Sequence, residues 1–198
     1  MVKIGFICEG DTEQIFLTSE SFRQLLHSLN LEPLPVINAK GSGNLLPHNI
    51  MGYVERLEKQ EAQAILILTD QDDDDCITKT KDRIHGRPGD IVVIAVKKIE
   101  SWFLASSTTI SKLIQAPQFK FDKPEEEKEP FDTINQLMID QTGRGLGRRS
   151  GKIKLVYRML DMGFDVIDAA THENCPSAAY FLRKLKEIGT SGTGAGKA

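Results

Sequence analysis

The sequence predicts an α/β fold: a central, mostly parallel sheet of about four strands with helices on both faces, plus a C-terminal helical extension. Three observations carry that reading. The runs Val2 to Cys8, Ala64 to Leu68 and Ile91 to Val96 are almost wholly apolar, whereas a strand with one wet face alternates, so these mark strands covered on both sides. The stretches between them repeat apolar residues at steps of three and four, the period of a helix with one buried face. Strand and helix alternate four times by residue 105, the pattern of parallel strands joined by right-handed crossovers.

The elements follow in order. Val2 to Cys8 is a strand that ends at Cys8-Glu9-Gly10-Asp11-Thr12-Glu13, after which Ile15, Phe16, Phe22, Leu25, Leu26 and Leu29 line one face of a helix. Asp11 and Gln14 have the spacing of a capping box at its start. Leu34 to Ala39 reads as a second strand, and Lys40-Gly41-Ser42-Gly43-Asn44 as a flexible turn without the Walker signature. Ile50, Tyr53, Val54 and Leu57 define the next helix. Ala64 to Leu68 then forms a central strand that runs into Thr69-Asp70-Gln71-Asp72-Asp73-Asp74-Asp75. A helix carrying Lys79, Lys81 and Arg83 stops near His85-Gly86-Arg87-Pro88-Gly89. Ile91 to Val96 is the last buried strand, followed by Lys97-Lys98-Ile99-Glu100 and an apolar helix in which Trp102 and Phe103 are core residues.

Residues 1–114 thus make the α/β core. Residues 115–131, rich in proline and glutamate, read as an exposed loop, and 132–188 as a helical extension packing on the core. The Gly/Ser/Thr-rich stretch 189–198 reads as a disordered tail. Gly143 to Arg149 is a loop that follows no strand, which rejects a dinucleotide fingerprint.

Bulk properties narrow the class. The chain has 198 residues, 40% of them apolar and 27% charged, with a net charge of -3. It carries no basic-then-apolar leader and no apolar run near the ~18 residues of a membrane span, so a soluble, cytoplasmic protein is expected. Cys8, Cys76 and Cys175 lack metal-site spacing and are expected to be reduced thiols. The acidic balance argues against a generally basic coat, but Arg144, Arg148, Arg149, Lys152, Lys154 and Arg158 form an acid-free stretch. That stretch reads either as a polyanion contact or as a solvated helix face.

Chemistry concentrates at the carboxyl ends of the strands, where open α/β sheets place their sites. Glu9 follows the first strand, Asp70 and Asp72 a later central one, and Glu100 the next. Acids so gathered repel one another unless solvated or neutralised by a cation. They read as hard oxygen ligands for Mg²⁺ or Mn²⁺, or as a wet loop.

Cys8-Glu9-Gly10 and Leu68-Thr69-Asp70-Gln71-Asp72 resemble the two motifs of the TOPRIM family, the metal-binding module of topoisomerases, bacterial primases and OLD-class nucleases. Gly10-Asp11-Thr12-Glu13, Lys98 to Ala105 and the Pro176 to Leu182 helix are similar to elements of its compact relatives. The resemblance implies a Rossmann-like TOPRIM fold in which Glu9, Asp70 and Asp72 are catalytic residues and ligands of Mg²⁺ or Mn²⁺. Glu13, Lys98 and Glu100 would be accessory, and Arg144, Arg148, Arg149 and Lys152 would contact a nucleic-acid backbone. The implied activity is phosphodiester hydrolysis or transfer on nucleic acid. No tyrosine-bearing topoisomerase domain and no Walker motif accompany the module, so an ATPase partner would be a separate chain. Asp73 to Asp75 exceed the family pattern and are assigned to loop solvation or support. Two alternatives stand beside this reading: a catalytically silent binding module of the same fold, and a haloacid-dehalogenase-like phosphatase with Asp70 as nucleophile.

Overall fold

A computed structural model of the chain describes residues 1–84, 89–147 and 150–191. In chain order these form β1 (Val2–Cys8), α1 (Asp11–Leu17), α2 (Glu20–Ser28), β2 (Leu31–Pro33), β3 (Ile37–Asn38), a 3-10 turn at Ser42–Leu45 and α3 (Pro47–Glu58). Then come β4 (Ala64–Asp70), α4 (Ile77–Ile84), β5 (Ile91–Ala95), α5 (Glu100–Ala105), α6 (Ser107–Leu113), α7 (Pro130–Thr142), α8 (Gly151–Asp161), α9 (Val166–Ala170) and α10 (Pro176–Ser191). The fold is α/β and Rossmann-like, with every strand pairing parallel.

Among the described residues the sheet has five strands in the order β2-β1-β4-β5, with β3 also on β1. The single second strand expected at Leu34 to Ala39 is instead two short ones on one edge of β1. β2 pairs with Val2 to Ile4 and β3 with Ile7 and Cys8. Pro33 and Pro35 cause the break, because neither has an N–H to give to a ladder.

From β1 the chain first moves to the β2/β3 side and then returns past β1 to β4. The crevice between the carboxyl ends of β1 and β4 is therefore the switch point of the sheet, the place where such folds bind ligands. Alternate side chains feed two cores. Phe6, Leu66, Leu68 and Val93 join the larger one, with Phe22 and Leu26 of α2 and Trp102 of α5. Ile7, Ile65, Ile67 and Val92 join the smaller one, with Ile50, Val54 and Leu57 of α3 and Ile84 of α4.

The C-terminal helices complete the larger core. Phe181 of α10 stacks on Phe22 of α2 at 5.8 Å and meets the Trp102 ring at 5.3 Å. Trp102 is fully buried, and its indole N–H donates to Ser177 Oγ at 2.7 Å. Each such ring contributes roughly 1.5–3 kcal/mol by burial, so these helices are integral to the sheet's stability.

Local readings are corrected in four places. The helix expected from Ile15 to Leu29 is broken at Ser19, whose hydroxyl accepts from Phe22 N–H at 3.3 Å and starts α2 afresh. The capping interaction of α1 joins Gly10 N–H to Glu13 Oε2 at 3.0 Å rather than Asp11 to Gln14. Asp11 instead pairs with Lys40 and with the Asn38 amide. In the acidic loop, Glu125 is buried and accepts Ser177 N–H at 2.8 Å, because a carboxylate satisfies the free donors at the start of α10. Finally, α10 continues through Gly189 to Ser191, where disorder was expected. A side chain at 189 would put its Cβ 2.0 Å from the Leu29 carbonyl oxygen, so glycine there permits close packing rather than a flexible tail. Residues 192–198 lie outside the described residues.

Candidate functional site

The acids converge at the switch point. β1 ends at Cys8 and the ladder continues for one bond, Glu9 N–H to Leu68 carbonyl at 3.2 Å. The half-buried Glu9 side chain then crosses to β4, where its Oε2 accepts from Thr69 Oγ1 at 2.6 Å and Asp70 N–H at 3.3 Å. Asp70 is the last residue of β4. Its Oδ1 accepts Ile99 N–H at 2.8 Å, so the strand's terminal carboxylate also caps the short helix α5.

Two further carboxylates come from helices. Glu13 lies in the first turn of α1 and is 4% exposed; Glu100 opens α5 and is 1% exposed. Neither carboxyl oxygen of Glu100 makes a hydrogen bond. Lys152 of α8 faces it, Nζ to Oε1 at 3.2 Å. Asp70 and Glu13 stand behind Glu100 and act on the same ammonium.

The electrostatics follow from that arrangement. Burial, then the charges of Glu13, Glu100, Glu9 and Asp72, hold the Asp70 carboxyl well above the usual range. Burial, reinforced by Glu100 and Glu9, pushes Glu13 up to about 7. Burial alone would lower the Lys152 ammonium, but Glu100, with Asp70 and Glu13 behind it, raises it. Carboxyls in this state bind protons near neutrality or take a cation in their place.

Asp72 stands at the rim. It is partly exposed, has φ 50° and anchors its N–H on the Lys97 carbonyl at 2.9 Å. Asp74 and Asp75 turn outward to Arg83 and Lys79, each at 2.9 Å, and Asp73 is exposed. Lys98 pairs with Glu129 at 2.6 Å, which holds the Glu129 carboxyl below its usual range. Arg144 is exposed, and Arg148 and Arg149 lie outside the described residues. Among the described basic positions considered for substrate contact, Lys152 is the one brought to the acids.

Whether these residues suit a divalent ion is decided by their donors. Carboxylate oxygens are what Mg²⁺ and Mn²⁺ prefer, and among the described residues the buried oxygens of Glu100 have no polar partner besides Lys152. The donor set therefore fits. It is not a closed cage: among the described residues no group of three or more His, Cys, Asp or Glu is arranged to hold a metal ion. Glu9, Glu13 and Asp70 each spend an oxygen on a backbone N–H.

Sequence reasoning placed Lys152 among phosphate contacts and missed its pairing with Glu100. The signal lies in the helical register. Lys152 is three, four and seven residues before the buried Leu155, Val156 and Met159, Glu13 three and four before Phe16 and Leu17, and Glu100 likewise before Phe103 and Leu104. Charges on the apolar face of a helix are buried on purpose or unfold it.

No known protein-family profile, curated protein or solved structure matches the chain. Among the described residues no helix is long and apolar enough to cross a membrane. Fold and site together define an α/β protein of parallel sheet with a buried acid cluster at its switch point.

Proposed function

We propose that this cluster is a Mg²⁺- or Mn²⁺-dependent site for phosphodiester hydrolysis or transfer on nucleic acid, in the manner of a small TOPRIM nuclease of the cytoplasm. The observation that carries the reading is the gathering of the carboxylates Glu9, Glu13, Asp70 and Glu100, which among the described residues meet the ammonium of Lys152 at Glu100. A divalent ion at this place would neutralise non-bridging phosphate oxygens and make a bound water more acidic. Glu9, Asp70 and Asp72 would hold it, with Glu100 alongside. Glu13 is suited to carry a proton, because a carboxyl poised near 7 exchanges protons readily at neutral pH. Lys152 is suited to hold a phosphate oxygen once the acids are otherwise neutralised. A separate ATPase chain is the partner that the TOPRIM resemblance implies.

The test is cleavage of end-labelled single- and double-stranded DNA and RNA with Mg²⁺ and Mn²⁺, for the wild type and Asp70→Asn. Loss of cleavage by about 10²-fold or more in the variant is expected. Activity indifferent to Asp70→Asn sinks the assignment. A second reading, a silent binding module, is favoured by the hydrogen bonds that already occupy Glu9 and Asp70. It predicts no turnover of any substrate with either metal.

A further inference from the structure

A groove separate from the acid edge is an apolar trough of about 630 Å³. Its floor is the outer flank of β5, at Val92 and Ile94, and its walls are Ile77 of α4 and Ala179 and Tyr180 of α10. β5 ends the sheet, with no strand beyond it among the described residues.

The backbone there has a definite orientation. The carbonyls of Ala95 and Lys97 point toward the β4 side, accepting from Gln71 N–H and Asp72 N–H at 2.9 Å each. Successive residues of a strand direct their polar backbone groups to opposite sides, so those of Val92, Ile94 and Val96 point outward. Val96 N–H is taken by Ser177 Oγ at 3.4 Å. Among the described residues no hydrogen bond takes up the outward groups of Val92 and Ile94, which face the trough.

A row of strand donors and acceptors above an apolar floor is what an added β-strand recognises. The size agrees. At a rise of ~3.3 Å, a strand spacing of ~4.8 Å and a sheet thickness of ~10 Å, one strand residue occupies roughly 160 Å³, so the trough takes about four. The rim is basic: Lys81 stands on the α4 side and Arg183 on the α10 side. Arg183 lies over the Tyr180 ring at 5.0 Å and also reaches Glu187 at 3.2 Å.

We propose that the β5 edge captures an extended segment of a partner protein, about four residues of alternating aliphatic character flanked by carboxylates. Charge selects this occupant over a second copy of the chain. Two-fold pairing of β5 with β5 would set Lys81 against Lys81 and Arg183 against Arg183, and like charges so juxtaposed oppose association.

The experiment selects a phage-displayed random octapeptide library on the full chain in EDTA, then measures an enriched peptide by fluorescence anisotropy. A consensus of alternating aliphatic residues with flanking Asp or Glu is expected. The double variant K81E/R183E should weaken that peptide by about tenfold or more, and Ala179→Trp, which fills the trough, should abolish binding while unfolding remains cooperative. Asp70→Asn should bind as the wild type does, which keeps this result separate from that of the acid site. The proposal is overturned by the absence of a consensus, by peptides that bind Ala179→Trp equally well, or by a concentration-dependent dimer that Ala179→Trp dissolves.

Discussion

Lys152 Nζ of α8 lies 3.2 Å from Oε1 of Glu100 in α5, a contact that joins the C-terminal helices to the acid edge. Glu100 is buried, but the Lys152 side chain is 47% exposed, so solvent screens part of their attraction. Lys152→Met should cost about 1–3 kcal/mol in urea unfolding, short of the penalty for stranding a fully buried charge. Lys152→Met combined with Glu100→Gln should recover much of the loss, because the charge that Lys152 faces most closely is then removed with it.

Stability should fall as pH rises. Glu13 has an ordinary value of 4.5 and is pushed up to about 7 in the fold. Between those values the folded state holds a proton that the unfolded chain has released, so the slope of stability with pH is negative, at most roughly 1.4 kcal/mol per unit. Asp70 is displaced in the same direction and adds to the fall. Metal-free protein should therefore melt at a lower temperature at pH 8 than at pH 5, and Glu13→Gln should flatten the profile. A melting temperature that climbs over this range would contradict the assigned burial.

Divalent metal should reverse that trend, since it replaces the protons. Mn²⁺ at 100 times its dissociation constant should stabilise the protein by about 2.7 kcal/mol. The gain should be larger at pH 8 than at pH 6, where protons compete for the same oxygens. Thermal unfolding with and without Mn²⁺ reads this directly, and Asp70→Asn should remove most of it.

Ser177 Oγ accepts from two donors at once, Trp102 Nε1–H at 2.7 Å and Val96 N–H at 3.4 Å. Ser177→Ala leaves the buried indole donor unsatisfied and should cost about 1–3 kcal/mol. Trp102, the chain's single tryptophan, should report the change in its fluorescence.

The parallel sheet was legible because Val2 to Cys8, Ala64 to Leu68 and Ile91 to Val96 carry their burial in unbroken apolar runs. Asp70 and Glu9 were legible because each sits where such a run ends. Less visible was anything decided between elements. The pairing of Lys98 with Glu129, 31 residues away, depends on how the loop before α7 folds back. The break at Ser19 was hidden by apolar residues that keep helical spacing on both sides of it. Lys152, Glu13 and Glu100 were readable in principle, through their registers with buried neighbours. Counting Lys152 with the arginines before it hid that.

Gly189 lies so close to the Leu29 carbonyl that no side chain fits between them, and Phe181 completes the ring cluster begun by Phe6, Phe16 and Phe22. The first strand and its helices therefore leave the ribosome without the helix that closes their core. At synthesis rates of about 5–20 residues per second, they must wait several seconds or longer with aromatic surface uncovered. During that interval the uncovered rings make the nascent chain prone to aggregate, and a translational pause before Pro176 would prolong its exposure.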